Sequence, residues 1–481
     1  MKHLDHTMFE QRTQPLAPTL LARRRTQARM PIGFSAAGGA GAPAAAPLAL
    51  PDDTHLMTVA PTGAGKGVNC VIPTLLQYPG PVIVFDPKGE HAAVTARRRR
   101  EMGQEVLVVD PFGVSGLPAA RFNPLDFVEP DTAEAADDAR FIAEMLMPTR
   151  FGSRDVFWRN RAMHFLTVAI LHAVTDFYPD HRSMVTVRDA VHQMSRRASK
   201  NQSDPGNAKL MAQLALKSRN PEVARLNELF DLGSIETVGG MLHTALEGVG
   251  FVRGPLVEQS LARSDFMLDD VTEGAPLTLY LVLPPHLIPS HGTILRLWLG
   301  TLFGAIMRRS GRPDHATLLL LDEAAQLGQF PPLRTAVTLL RGYGLQTWSF
   351  WQDPSQLMQV YPQDWRSLVK NCGIVQVFGP RSAAAAETLG LSIEQESHGV
   401  DCDGPDGMLI FEQGTGTFAD RIDYRTDPAL AGLYDANPLH RRQGGAIRRS
   451  RARMPTPDAE PTKPPQDDGF RQVYDAIRSC M

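Results

Sequence analysis

The stretch "APTGAGKG", residues 60 to 67, places two glycines and a lysine between the apolar runs "HLMTV" and "VNCVIPTLL". Those residue types at that spacing could hold phosphate. Gly63 and Gly65 permit a tight turn in which backbone N–H groups converge on oxygen atoms. Lys66 adds a point charge for terminal phosphates, and a helix starting at Gly67 lends its positive end. Ala60, Pro61, Thr62, Gly63, Ala64, Gly65, Lys66 and Gly67 are therefore the candidate residues for ATP. Two positions depart from the usual loop. Ala60 stands in place of a first glycine, which the turn tolerates at negative φ. Gly67 stands where a Ser or Thr hydroxyl would bind Mg2+, a position water can fill because Mg2+ commonly keeps several waters. Taken alone, the loop could equally be a glycine turn with no ligand.

Three further residues bear on that choice. "ATLLLLDEAAQLGQF" runs four leucines straight into Asp322 and Glu323. At the end of a buried strand, such an Asp holds Mg2+ through water and the adjacent Glu orients an attacking water. Asp322 is the candidate metal residue and Glu323 a candidate catalytic one. "LQTWSFWQD" also ends a strand in polar residues, and Gln352 is placed to sense the terminal phosphate or position the water. A strand-end glutamine without a role is the other reading. The transition-state charge calls for an arginine, and no arginine is near the loop in sequence. Arg334, Arg341 and Arg381 each read individually as a solvated surface residue; Arg341 in "LLRGYG" is the candidate finger among them, and a finger acting across a subunit boundary would leave a single chain nearly silent. The candidate catalytic set is Lys66, Glu323, Gln352 and Arg341.

These residues need a sheet to position them. "HLMTVA", "PVIVFD", "EVLVVDPFG", "LTLYLVLP", "ATLLLLDE", "LQTWSFWQD" and "GIVQVFG" read as short buried strands alternating with helical stretches. That pattern predicts a parallel sheet covered on both faces. Between about 125 and 250 the strand signals fade, and "DVFWRNRAMHFLTVAILHAVTDF" repeats apolar residues at three- and four-residue spacing. The expected organisation is a nucleotide-binding domain over 51–124 and 251–438, interrupted by an all-α inserted domain over 125–250. Residues 1–50 read as a polar, basic segment and an Ala/Gly/Pro linker. Residues 439–481 read as a disordered tail ending in a short helix at "FRQVYDAIRS".

Composition narrows the classes. The chain has 481 residues, a net charge of -3 and four scattered cysteines with no metal-ligand spacing. Two or three domains, no disulfide or zinc scaffold, a reducing cytoplasm and no global pull toward nucleic acid follow. Any nucleic-acid contact would need a local patch such as Arg97 to Arg100, which could equally be a helix surface. No signal peptide or membrane span is read: residues 30–51 are broken by Gly and Pro, and 275–295 by Pro284, Pro285 and Pro289.

Several strings occur in an order that is more specific. "APTGAGKGVNCVIPTLL", "VIVFDPKGEHAAVTARRRREMGQEVLVVDPFG", "RFNPLD", "ARSDFMLDD", "LYLVLPP", "LLLLDEAAQLG", "LRGYGLQTWSFWQDPSQL" and "YRTDPALAGLYDANP" together resemble the TraG-like coupling proteins of conjugation and type IV secretion. The resemblance covers roughly residues 50 to 438. It implies a RecA-like P-loop ATPase of α/β class, with a mainly parallel sheet and an all-α insert. ATP and Mg2+ are the implied cofactors. Lys66 becomes the phosphate-loop lysine, Asp322 and Glu323 the Walker B pair, and Gln352 a third motif, and Gly67 is tolerated because the family allows GKG. Lys88 and Glu90 of "DPKGE" are expected at the site edge. The implied function is an ATP-driven coupling protein, a homo-hexamer that delivers DNA, a relaxase–DNA complex or an effector protein to a secretion channel. The alternatives are a nucleotide-gated docking receptor with little turnover and a soluble FtsK-like DNA translocase. The translocase is weakened by the helical insert and by the lack of a recognisable winged-helix module. Many members of this family begin with two transmembrane helices, where this chain has a basic knot and the Ala/Gly/Pro stretch. The expectation is a cytoplasmic protein, or one peripheral at the inner face of the bacterial inner membrane and recruited by an inner-membrane protein of the channel.

Overall fold

Runs such as "LTLYL" and "TLLLL" leave no polar face for water, so they fold only where both faces of a sheet are covered. The computed structural model describes residues 31–35, 47–49, 54–147, 156–200, 218–224, 235–379, 382–392, 407–412 and 415–439. Its strands are β1 (Pro31–Ser35), β2 (Pro47–Ala49), β3 (His55–Val59), β4 (Val82–Phe85), β5 (Glu105–Val109), β6 (Leu277–Leu281), β7 (Thr317–Leu321), β8 (Leu345–Trp351), β9 (Cys372–Phe378), β10 (Gly407–Glu412) and β11 (Thr415–Asp420). Among the described residues they form one sheet in the order β2-β1-β11-β10-β9-β3-β8-β7-β4-β6-β5. From β9 to β5 every pairing is parallel. From β2 to β9 every pairing is antiparallel.

The seven parallel strands are the seven runs read from the sequence. The four antiparallel strands escaped that reading. β1 and β2 lie in the Ala/Gly/Pro stretch expected to be a linker. An edge strand needs only backbone donors and acceptors, and β1 adds one anchor: Ile32 is buried, and its carbonyl accepts a hydrogen bond from Gln376 Nε2 at 3.3 Å. The tail 439–481, apart from Leu439, lies outside the described residues.

Alternation along each strand sorts its side chains between two cores. Leu318 and Leu320 face a core shared with Val82, Val84, Trp348 and Phe350. Leu319 and Leu321 face the opposite one with Ile83, Phe85 and Trp351. The first core is closed by α1 (Ile72–Gln77), entered through a π-helical turn at Gly67–Val71, and by α2 (Glu90–Glu101).

The second core is closed by the helical segment. Between β5 and β6 no strand occurs among the described residues. The longer helices there are α3 (Ala135–Leu146), α4 (Val156–Asp176), α5 (Met184–Lys200) and α6 (Ile235–Val249). After β6 comes α7 (Ile288–Met307), which packs against α3 and shares the core of this sheet face. The apolar residues of α3, α4 and α6 belong to the same continuous core as the sheet face, so among the described residues the insert shows no separate core of its own. Strands resume at Leu277 with "LTLYL", after a turn and a short helix, Leu268–Glu273, in "ARSDFMLDD". No helix among the described residues is long and apolar enough to cross a membrane.

Candidate nucleotide site

Parallel strands deliver the residues that follow them to one edge, where ligands of open α/β sheets bind. Here four adjacent strands, β3, β8, β7 and β4, deliver Ala60–Gly67, Gln352, Asp322–Glu323 and Asp86–Glu90 to the same edge.

The phosphate loop leaves β3 with the Ala60 N–H donating to the Trp351 carbonyl at 2.9 Å. Gly63 and Gly65 sit at φ 81° and 91°, a region L side chains rarely adopt. Lys66 is buried, and its Nζ donates to the Ala60 carbonyl at 3.3 Å and pairs with Glu323 Oε1 at 3.2 Å. Gln352 Nε2 donates to Glu323 Oε2 at 2.8 Å. Glu323 is thus held from both oxygens. It is also the non-glycine residue with positive φ, 64°, among the described residues. Such a conformation costs on the order of 1–3 kcal/mol and clusters at functional sites. It turns the carboxylate back toward Lys66 directly after the strand.

Asp322 faces another partner. His91, the second residue of α2, is fully buried, with Nε2 3.0 Å from Asp322 Oδ2. Burial opposes charge on the imidazole, but the Asp86 carboxylate and the Asp322 hydrogen bond outweigh it and push its pKa up to about 9. Burial also opposes charge on Asp322, yet the His91 hydrogen bond and charge hold its carboxyl below the usual range. For Asp86 burial wins, and its carboxyl is pushed up even though Oδ2 accepts the Ala92 N–H at 2.9 Å. Asp86 Oδ1 and His91 Nδ1 are buried with no hydrogen-bond partner among the described residues. A buried, ionised Asp322 beside polar atoms left without partners fits a divalent cation.

The remaining candidates divide. Glu90 lies beside the site: a ligand atom from each of Glu90, His91 and Asp322 falls within 4.8 Å of the others. Lys88 is exposed, and its charge reaches Asp322. Arg341 is not in the site. It lies in the turn Leu340–Tyr343 before β8, and its charge acts on His55 at the start of β3, the far end of the strand that carries the loop. Five strand residues at about 3.3 Å each put it about 15 Å or more from Lys66 within one chain. Arg334 pairs with Asp364 at 3.3 Å, and Arg381 lies outside the described residues.

Two residues went unnoticed in the sequence. Arg421, after β11, donates from Nη1 to the Ala64 carbonyl at 2.6 Å, and Asn69 Nδ2 returns a bond to the Ile422 carbonyl at 2.8 Å. The chain after β11 therefore clasps the phosphate loop. His91 was the other, and its signal was a histidine following "DPKGE" in a chain whose loop lacks the Ser or Thr.

The basic cluster is not a free patch. Arg99 is fully buried, donating to Thr278 Oγ1 at 2.8 Å, to the Gly80 carbonyl at 2.6 Å and to the Tyr78 carbonyl. Arg97 is taken by Glu101 at 2.6 Å and Asp435 at 2.8 Å.

Residues 2–390 match the model of the family described as type IV secretory system conjugative DNA transfer. The conjugal transfer protein TraG of Escherichia coli is 28% identical over 358 residues, 70% of this chain and 54% of its own length. Protein VirD4 of Rhizobium radiobacter is 30% identical over 336 residues, 68% of this chain and 46% of its own. The chain thus spans about half the length of these curated relatives. The plasmid coupling protein TrwB, solved in complex with ADP and Mg2+, superposes with a TM-score of 0.55 at 16% identity, covering 84% of this chain and 85% of that one. The likeness is one of fold, the RecA-like P-loop α/β fold with a mainly parallel sheet.

Proposed function

The chain belongs to the type IV secretory system conjugative DNA transfer family, and on that footing we propose that it is an ATP-driven coupling ATPase that recruits DNA, a relaxase–DNA complex or a protein substrate and helps move it to a secretion channel. The observation that carries the reading is the Lys66–Glu323–Gln352 chain of contacts beside Asp322 at one sheet edge. Lys66 and the N–H groups of Gly63 to Gly67 would hold the phosphates, as the ADP complex of TrwB suggests. Asp322 would hold Mg2+, which supplies charge neutralisation on the phosphate oxygens when bound. Arrival of phosphate gives Lys66 a second anion to serve and loosens its hold on Glu323. Glu323, still aligned by Gln352, would then accept the proton of a water. The working assembly is a homo-hexamer, with Arg341 supplied by a neighbouring subunit and an inner-membrane protein of the channel as recruiting partner.

The test is ATP hydrolysis by the purified protein, with and without single- and double-stranded DNA, over a range of protein concentrations. We expect turnover that rises with concentration and DNA and vanishes in Lys66→Ala. Unchanged turnover in that variant would remove the loop from the mechanism, and tight ATP binding without turnover would mark a docking receptor instead.

A further inference from the structure

Position 67 offers no hydroxyl, and the space beside it is already filled. A Cβ built on Gly67 would stand 3.2 Å from His91 Cε1 and 3.5 Å from Glu90 Oε1. The imidazole therefore lies directly against the position a Ser or Thr side chain at 67 would start from. We propose that His91 is a metal ligand of the nucleotide site: its Nε2, giving up to solvent the proton it shares with Asp322 in the ion-free site, and the Asp322 carboxylate jointly hold the divalent cation, in place of the missing hydroxyl, and bias the site toward Mn2+ over Mg2+. This rests on the nucleotide site proposed above.

Three observations support it. The 3.0 Å between His91 Nε2 and Asp322 Oδ2 matches two neighbouring ligands of an octahedral ion: donors about 2.1 Å from the metal at a right angle stand about 3 Å apart. Glu90 brings a third ligand atom within 4.8 Å of both, and its Oε2 accepts a hydrogen bond from Asn437 Nδ2 at 3.3 Å. The far ring atom also has a natural support. A metal-bound histidine usually gives its second N–H to a carboxylate, which fixes the ring. His91 Nδ1 and Asp86 Oδ1 are both buried without partners, and Asp86 is the carboxylate whose charge acts most strongly on His91. An imidazole nitrogen suits Mn2+ better than Mg2+, which prefers oxygen and holds its waters. Nitrogen at this point of the site therefore changes which ion is preferred.

The experiment uses the full chain with Mn2+ and a non-hydrolysable ATP analogue, read by electron spin-echo modulation from imidazole 14N and by Mg2+ competition for bound Mn2+. The wild type should show 14N modulation. His91→Gln, which keeps a hydrogen-bonding group for Asp322 and offers oxygen instead of nitrogen, should bind nucleotide and Mn2+ without it. The Mg2+ concentration needed to displace Mn2+ should fall about tenfold in that variant. Bound Mn2+ with no 14N modulation in the wild type, or equal Mn2+ preference in both proteins, overturns the assignment. Nitrogen-modulated Mn2+ binding with no nucleotide binding at all would support the ligand set while sinking the nucleotide reading. Failure of both Mn2+ and nucleotide to bind would sink both.

Discussion

Glu323 is the residue whose chemistry the surroundings constrain most. Its carboxylate is gripped by Lys66 on one oxygen and Gln352 on the other, and its backbone is held in the left-handed region. A carboxylate so oriented can act as a general base, a role worth typically 10²–10⁴ in rate. Glu323→Gln keeps the shape and the contact with Gln352 but cannot accept a proton. We expect turnover to fall by about that factor, to about 10⁻²–10⁻⁴ of the wild type, while ATP stays bound. Single-turnover hydrolysis beside binding of a fluorescent ATP analogue checks this, and normal turnover would point to another base. Much of this site was legible residue by residue. Glycines and a lysine after one apolar run, and two acids after another, are local patterns. The strain at Glu323 was not legible, because nothing in "LLLLDEAAQ" marks a non-glycine residue for positive φ. Nor was the pairing of His91 with Asp322, which joins positions 231 residues apart.

At the scale of elements, α2 shows how misleading a charge run is without its neighbours. "TARRRRE" reads as a surface patch for DNA backbone or for solvent. In the structure Arg99 points inward and ties α2 to the end of α1 and to β6 through the carbonyls of Tyr78 and Gly80 and the Thr278 hydroxyl. Arg100, one residue on, is exposed. The helical period puts adjacent residues about 100° apart, so one cluster serves both inside and outside. Arg99→Ala strands several buried acceptors, each costing about 1–3 kcal/mol, so a loss of about 3 kcal/mol or more is expected. Arg100→Ala should stay within about 0.5 kcal/mol of the wild type. Urea midpoints of the two variants decide, and equal midpoints would remove the buried pin. The parallel strands were legible because runs buried on both faces are apolar throughout. β1 and β2 were hidden because their Gly, Ala and Pro content carries no such signal, and the pairing with β11 is a backbone matter.

At the scale of the whole molecule, the position of Arg341 decides whether the site is complete in one chain. It sits at the amino end of the strands, beside His55, while the phosphate loop sits at the carboxyl end. No side chain spans that distance, so Arg341 reaches a phosphate only if a second copy presents its amino-end edge to the first copy's loop. That is a property of assembly, and a single sequence carries no statement of how copies meet. Mixing variants makes it measurable. Arg341→Ala alone should be nearly inactive, since an arginine finger contributes about 10³–10⁵ in rate. Glu323→Gln alone should also be nearly inactive, but its Arg341 is intact. In a random equal mixture, about one interface in four joins an intact Glu323 site to an intact Arg341 from its neighbour. Those interfaces should turn over ATP, so the mixture should recover about a quarter of wild-type activity where either variant alone has almost none. Recovery should follow the product of the two fractions and peak at equal amounts. If both variants assemble as the wild type does and no ratio restores turnover, Arg341 does not act across the boundary. If Arg341→Ala alone keeps full turnover, the arginine already lying against the loop in the same chain, Arg421, becomes the next to replace.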